Sequence, residues 1–273
     1  MDAYSQDKPQ LPGELRRLLG ESEWQANTMG RSGSQVFRVK HGYLKIVSRA
    51  STISLRAEKD RLVWLQGRLP VPEVYYYDVD DHNEYLYMSG IAGTMACDEI
   101  FWEDMPELIC LLAEALHMVH AVDISTCPFD QRLTYRLALA YQGMLSGRID
   151  ENEFAARYPG QTPVAMYEHL TSIRPAEEDL AFTHGDPCLP NILIDRERHR
   201  ISGFIDLEYA GVADRYRDLE RTCWSLGYNF DRQWIPDLLN AYGIEEVDQK
   251  KIEFYAQLED FSWASEFLVK DEE

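Results

Sequence analysis

One change of character along the chain does most to limit its fold. Up to about residue 90 the apolar residues come in short β-rich runs, and beyond it they recur at helical spacing. Residues 34–40 (SQVFRVK) and 43–47 read as strands, with His41-Gly42 as a tight hairpin turn between them. Residues 73–79 and 84–90 flank Asp80-Asp81-His82-Asn83 and predict a second hairpin. Between the hairpins, residues 51–67 take a helical period. Leu55, Leu62 and Leu65 or Trp64 face inward, Ser51 or Thr52 is available as cap, and Pro70 and Pro72 end the run. Residues 91–96 (IAGTMA) are small and predict a flexible connector. The helical part opens at 105–122, with Pro106 in its first turn and Leu108, Leu112, Ala115, Leu116 and Val119 on one face. Further helical patterns lie near 131–146, 163–173, 214–228, 232–242 and 248–269, interrupted by one hairpin at 191–195 and 200–207. There is no internal repeat. The expected plan is α+β in two lobes, a β-rich lobe over 1–92 with a hinge near 88–93 and a mainly helical lobe over 93–273. A cleft between lobes is where a site is expected.

Charge narrows the partners. The 273 residues carry 27 Lys and Arg against 47 Asp and Glu, a net charge of −20. Residues 1–96 hold 12 of each sign, so the whole imbalance lies in residues 97–273, and residues 97–123 hold seven acids with no Lys or Arg. Such a chain repels nucleic acid and anionic membranes. The acidic half is either a solvated surface or a means of gathering a polycationic ligand, and composition does not choose. No apolar run reaches the ~18–20 residues of a membrane span, and the N-terminus has no signal-peptide pattern. Cys97, Cys110, Cys127, Cys188 and Cys223 are odd in number and never spaced as CxxC, which fits reduced thiols in cytoplasm. A cytoplasmic monomer is expected.

The densest chemistry lies in FTHGDPCLPNILID (182–195) and SGFIDLEYAGVADRYRD (202–218). Asp186 sits in a Gly/Pro-bounded loop before a strand, Asn191 follows five residues on, and Asp206 ends the paired strand. Two short strands bring Asn191 and Asp206 close, where an amide oxygen and a carboxylate suit Mg²⁺. Asp186 is placed to accept a proton from an attacking hydroxyl. Taken singly, each residue is as well explained by capping a turn or ending a strand; together they point to phosphoryl transfer. Lys45 stands mid-strand between Leu44 and Ile46, and Glu58 on the next helix is able to pair with it, as a strand Lys and helix Glu do in kinases. The stretch MGRSGSQVF offers Gly30, Ser32, Gly33 and Ser34 as a phosphate-covering turn, although an ordinary hairpin loop looks the same.

HGDPCLPNIL and GFIDLEYAGVADRYRD closely resemble the catalytic loop and metal-binding segment of aminoglycoside 3′-phosphotransferases, and the resemblance runs nearly end to end. It implies a protein-kinase-like fold and an enzyme that phosphorylates a hydroxyl of an aminoglycoside antibiotic with ATP, or GTP, and Mg²⁺, conferring resistance. Asp186 would be the catalytic base, Asn191 and Asp206 the metal ligands, and Lys45 the phosphate-holding lysine oriented by Glu58. The Gly30–Ser34 loop with Ser32 would cover the phosphates. Tyr43 would stack on adenine, and the hinge at Met88, Ser89 and Ile91 would bond it through backbone. An acidic drug pocket would draw on Asp150, Glu151, Glu153, Glu259 and Asp260.

The chain departs from the family in three places. Glu208-Tyr209 stands where Gly-Arg is usual, which is expected to reshape the floor of the drug pocket; Pro187 replaces a Leu-like residue; and the chain continues past the acidic C-terminal motif. Competing readings are a kinase for another small alcohol (a macrolide, choline or a sugar), a silent nucleotide-binding scaffold, and a metal-dependent hydrolase built on His184 and Asp186.

Overall fold

The computed structural model describes residues 11–27, 34–51, 54–146 and 149–267, apart from the side chains of Glu151 and residues 263–267. It divides into one unit of residues 1–64 and 72–90 and a second of residues 65–71 and 91–273.

The first unit begins with helix α1 (Gly13–Leu19) and strands β1 (Trp24–Asn27), β2 (Gln35–Val39) and β3 (Gly42–Ser48). Helix α2 (Leu55–Leu65) and strands β4 (Val74–Val79) and β5 (Asn83–Ser89) follow. The sheet is antiparallel in the order β1-β2-β3-β5-β4, so β3 is central. Alternation along β3 sends Leu44 and Ile46 into a cluster with Leu15 and Leu19 of α1, Phe37, Tyr85 and Tyr87. Lys45 therefore points to the opposite face, yet it is buried. The β2–β3 turn is made by Lys40 and His41, with Lys40 at φ 53°. Gly42 already belongs to β3, where a Cβ would stand 2.1 Å from the Met88 carbonyl oxygen. Thr52 lies outside the described residues, and Ser51 does not start α2. Ser54 does: its hydroxyl accepts from the Arg56 amide, and Glu84 of β5 accepts from the Leu55 amide at 2.8 Å.

The second unit holds strands β6 (Thr94–Met95), β7 (Leu180–Thr183), β8 (Ile192–Asp195), β9 (Arg200–Phe204) and β10 (Gly211–Asp214). Its helices are α3 (Met105–His120), α4 (Leu133–Leu145), α5 (Glu151–Arg157), α6 (Pro163–Ser172), α7 (Tyr216–Asn229), α8 (Ile235–Tyr242) and α9 (Gln249–Phe267). Helix α3 buries nine residues on nearly all sides, as a central core helix must. A second core joins Leu133 and Leu137 of α4, Phe154 of α5, Leu170 of α6, and Phe254 and Phe261 of α9.

Two expectations change. The supposed flexible connector forms β6, an ordered strand paired with Ile194 and Leu193 of β8. The expected hairpin forms as β8 and β9, but it is not the one β interruption, since β6 joins it and β7 pairs with β10 in a second small sheet. Strands of four residues, such as LAFT and GVAD, carry too little pattern to stand out from loop. Part of the acidic run is also explained. Asp98 caps the short 3₁₀ turn before α3, Asp104 caps α3 itself, and Asp123 accepts from the Ser125 amide and hydroxyl. Those carboxylates serve helix and turn ends.

Candidate active site

In the first unit the β3 register and the first turn of α2 bring Lys45 and Glu58 together. Lys45 Nζ donates to both Glu58 carboxylate oxygens at 2.8 Å, with the two residues 8% and 2% exposed. Burial strengthens the attraction but makes either charge costly without the other. Tyr43 is half-buried, with its ring against Gly90, and pairs with Met88 across the sheet. The Ser89 hydroxyl is committed to β4, accepting from the Glu73 amide at 2.9 Å. Ile91 belongs to the second unit, where its side chain covers Gly203 so closely that a Cβ there would lie 2.6 Å from Ile91 Cδ1. Gly30, Ser32 and Gly33 lie outside the described residues, and Ser34 stands half-buried just before β2.

In the second unit β7 delivers a sharply turned loop. Gly185 has φ +88°, and a Cβ there would fall 2.3 Å from the Tyr209 carbonyl oxygen, so only glycine passes. Asp218 of α7, fully buried, clamps the loop by accepting from the His184 amide at 2.7 Å and the Gly185 amide at 2.9 Å. Burial opposes its charge, but the His120 hydrogen bond, the neighbouring imidazoles and the loop amides outweigh it and hold the carboxyl below its usual range. Burial pushes His184 down, so its ring is neutral, and Nδ1 accepts from the Asp186 amide at 3.3 Å.

The Asp186 carboxylate is thereby held at the loop's exposed edge. Oδ1 accepts from the Cys188 thiol at 2.9 Å and Oδ2 from Asn191 Nδ2 at 3.2 Å. Burial pushes the Cys188 thiol well up, which keeps it a donor. Asn191 Nδ2 also donates to the Asp186 carbonyl at 2.9 Å, which turns the amide oxygen the other way. Phe204 of β9 pairs with Ile192, and the Ile205 amide donates to the Asn191 carbonyl at 3.0 Å, so Asp206 emerges beside Asn191. Asp206 adopts φ 58°, a left-handed conformation that costs a non-glycine residue free energy and is retained where a function needs it. An outward amide oxygen and a strained carboxylate form a hard-oxygen donor set that fits Mg²⁺.

The acids expected to receive a drug behave differently. Glu259 is buried among guanidiniums, with Arg217 Nε at 2.8 Å, Arg136 Nη2 at 3.6 Å and Arg221 Nη2 at 3.9 Å. Despite the cost of burial those charges hold its carboxyl down to about 2. Its charge is matched inside the protein, which corrects the picture of Glu259 as an open cation receptor. Arg221 also approaches Asp186, Nε to Oδ1 at 3.7 Å. Asp150 caps α5 by accepting from the Asn152 and Glu153 amides, Glu153 and Asp260 are exposed, and the Glu151 side chain lies outside the described residues. Glu208 is half-buried. Tyr209 closes over Gly185, its carbonyl accepts from Arg217 Nη1 at 3.3 Å, and its ring lies 5.9 Å below the Arg136 guanidinium. Tyr209 therefore packs under the Asp186 loop.

Asp218, Cys188, Arg217 and Arg221 are the residues that sequence reasoning passed over. Asp218 ends the GVADRYRD motif. The arginines left a fainter trace, two cations on a helix face whose neighbours Leu219, Thr222 and Ser225 are buried.

A loop carboxylate poised for a hydroxyl proton, beside oxygen donors for a hard cation, defines a phosphoryl-transfer enzyme of kinase type. The chain belongs to the phosphotransferase enzyme family, which it matches over residues 23–255. It is 36% identical over 256 residues to an aminoglycoside 3′-phosphotransferase of Niallia circulans, covering 92% of this chain and 97% of that one. A Streptomyces fradiae aminoglycoside 3′-phosphotransferase is 32% identical over 262 residues, covering 90% and 98%. Among solved structures, an aminoglycoside 3′-phosphotransferase of type VIII superposes with TM-score 0.78 at 29% identity, covering 91% and 96%. A Streptomyces rimosus aminoglycoside phosphotransferase in complex with ADP and streptomycin superposes with TM-score 0.75 at 26% identity, also covering 91% and 96%. The protein-kinase-like fold expected from the sequence is the fold observed. Among the described residues, no helix is long and apolar enough to cross a membrane.

Proposed function

We propose that this protein transfers the γ-phosphoryl group of ATP to a hydroxyl of an aminoglycoside antibiotic and so confers resistance. The observation that carries the reading is the Asp186 carboxylate, fixed by Cys188 and Asn191 on a loop that Asp218 clamps. Asp186 takes the proton of the attacking hydroxyl. Lys45, oriented by Glu58, holds the nucleotide phosphates, and Tyr43 with the backbone near Met88 and Ser89 holds the base. Asn191 and Asp206 would hold Mg²⁺, which when bound would neutralise charge on the phosphates. GTP is an alternative donor that the same contacts accept. The relatives' names favour the 3′-hydroxyl as acceptor.

The test is a coupled ADP-release assay with purified protein against kanamycin, neomycin, amikacin, streptomycin, a macrolide and choline, with the product's phosphate position read by NMR. ADP release with at least one aminoglycoside is expected. Turnover of choline or the macrolide alone would overturn the reading.

A further inference from the structure

Arg221 lies outside both motifs that carry the family resemblance, so the kinship gives it no role. Helix α7 nevertheless aims it at the proposed base. Its Nε stands 3.7 Å from Asp186 Oδ1, and among the described residues no other cation forms an ion pair with that carboxylate. The side chain is mostly buried and its place is fixed. Its guanidinium lies 5.0 Å over the Trp224 ring, and Nη2 stands 3.9 Å from Glu259 Oε2. The preceding residue, Glu220, does not bond it: consecutive helix residues point apart, and Glu220 Oε2 is buried without a donor. Burial works against the Arg221 charge, but the neighbouring carboxylates, Glu259 foremost with Asp186 and Glu220, outweigh it and keep the guanidinium cationic.

One donor of this cation is unused. Its Nε–H is buried without a hydrogen-bond partner, because 3.7 Å is too long for a bond to Asp186. The Asp186 oxygens are already held, Oδ1 by the Cys188 thiol at 2.9 Å and Oδ2 by Asn191 Nδ2 at 3.2 Å. A buried N–H without an acceptor costs free energy, and an acceptor that arrives beside it recovers that cost. A guanidinium is also a poor neighbour for the cationic antibiotic proposed as substrate. What gains from Arg221 must be anionic and must arrive next to Asp186. The transferred phosphoryl group is both, since the oxygen that gives its proton to Asp186 is the oxygen that bonds phosphorus.

We propose that Arg221 is a catalytic residue, donating from Nε to the phosphoryl group as it reaches the acceptor oxygen and holding the product phosphate until release. The inference rests on the phosphoryl-transfer reading of this site. In that step the acceptor O–H bond breaks and its proton passes to Asp186. The new O–P bond forms, the bond from the γ-phosphorus of ATP to its bridging oxygen breaks, and that electron pair leaves on ADP. With the proton on Asp186, the negative charge that faced Arg221 is gone, and the guanidinium is left to the phosphate. Arginine suits the task because its charge is permanent and its planar fork matches phosphate oxygens.

The test separates product from substrate. Kanamycin, or the aminoglycoside that releases ADP if kanamycin does not, and the phosphorylated drug made by the parent enzyme are each titrated calorimetrically into the ADP-bound full chain. Turnover is followed alongside. Arg221→Met should lower kcat about 10²-fold, as loss of one donor to a developing oxyanion does. It should weaken product binding about ten-fold, while the unphosphorylated drug binds as well as before or better, because a cation has gone. Arg221→Lys keeps the charge beside Glu259 and loses the fork, so it should fold as the parent does and recover only part of the product affinity. Parallel losses of drug and product affinity in Arg221→Met would show a structural role and overturn the assignment, as would unchanged kcat and product affinity. Where Arg221→Met does not fold, Arg221→Lys decides: a ratio of product to drug affinity equal to the parent's overturns the assignment. A parent that releases ADP with no aminoglycoside would remove the proposed function itself, and this inference with it.

Discussion

The two units treat a buried glutamate in opposite ways. Glu58 accepts from Lys45 Nζ at both of its carboxylate oxygens, each at 2.8 Å. Glu259 shares its charge among Arg217, Arg136 and Arg221, and only Arg217 approaches to 2.8 Å. The first arrangement fixes one lysine in one place, which suits the phosphate-holding role proposed for Lys45. The second spreads charge over a helix face and, through Arg221, reaches Asp186. A tight pair breaks when one member is lost, whereas a shared cluster redistributes. That difference can be tested.

The largest effect is expected at the point the cluster reaches. Asp186→Asn should lower kcat by ~10²–10⁴, the usual worth of a general base, with nucleotide affinity nearly unchanged. Asp206→Asn should weaken Mg-nucleotide binding as well. Equal large losses of nucleotide affinity in both variants would remove the division between base and metal ligand.

Next comes the tight pair. Lys45→Met leaves Glu58 buried without that ammonium, and stranding one member of a buried ion pair costs about 3–5 kcal/mol. Denaturant midpoints should show the loss, and nucleotide affinity should fall with it. A smaller stability loss for Lys45→Met than for Glu259→Gln would reverse the comparison drawn here.

Glu259 is a pH-dependent stabiliser. Its folded carboxyl sits at about 2 against 4.5 unperturbed. Its contribution of about 3 kcal/mol is therefore fully present above pH 4.5 and is lost as pH falls toward 2. Glu259→Gln should lower Tm at pH 7, and the gap to the parent should close on acidification. A gap as wide at pH 3 as at pH 7 would mean that packing, not charge, dominates.

Glu220 shows the reverse sign and the smallest effect. Its folded carboxyl lies at about 7, above the unperturbed 4.5, so its favourable, protonated state is fully present below 4.5 and is lost as pH rises through 7. Glu220→Gln should leave stability unchanged near pH 4 and raise it at pH 8, by about 2 kcal/mol at most because the amide also wants a partner, with Tm rising accordingly. A lower Tm at pH 8 would show that Glu220 has a compensating partner.

Much of this was legible in the residues. The Lys45–Glu58 pairing followed from a charge placed mid-strand and an acid on the next helix. The adjacency of Asn191 and Asp206 followed from two short apolar runs with one turn between. Both are local inferences, resting on strand alternation and hairpin closure. Less legible were β7 and β10, whose four residues each carry no decisive period, and α5, seven residues opened by Asp150. The acids were read as one population, whereas the fold sorts them into helix caps at Asp98 and Asp104, a buried arginine centre at Glu259 and a donor-less carboxyl at Glu220.

The sequence by itself determined the two-part plan, the loop bearing Asp186, the adjacency of Asn191 and Asp206, and the kinship with phosphotransferases. Those depend on neighbours a few residues apart, where spacing and chemistry suffice. Only the tertiary structure decided what surrounds them: Asp218 reaching from α7 to clamp His184 and Gly185, Tyr209 closing on Gly185, and Arg136 and Arg217 converging on Glu259 from α4 and α7. Charges far apart in the chain meet only when packing excludes water between them, and a carboxyl's protonation is set by that packing as much as by its residue type.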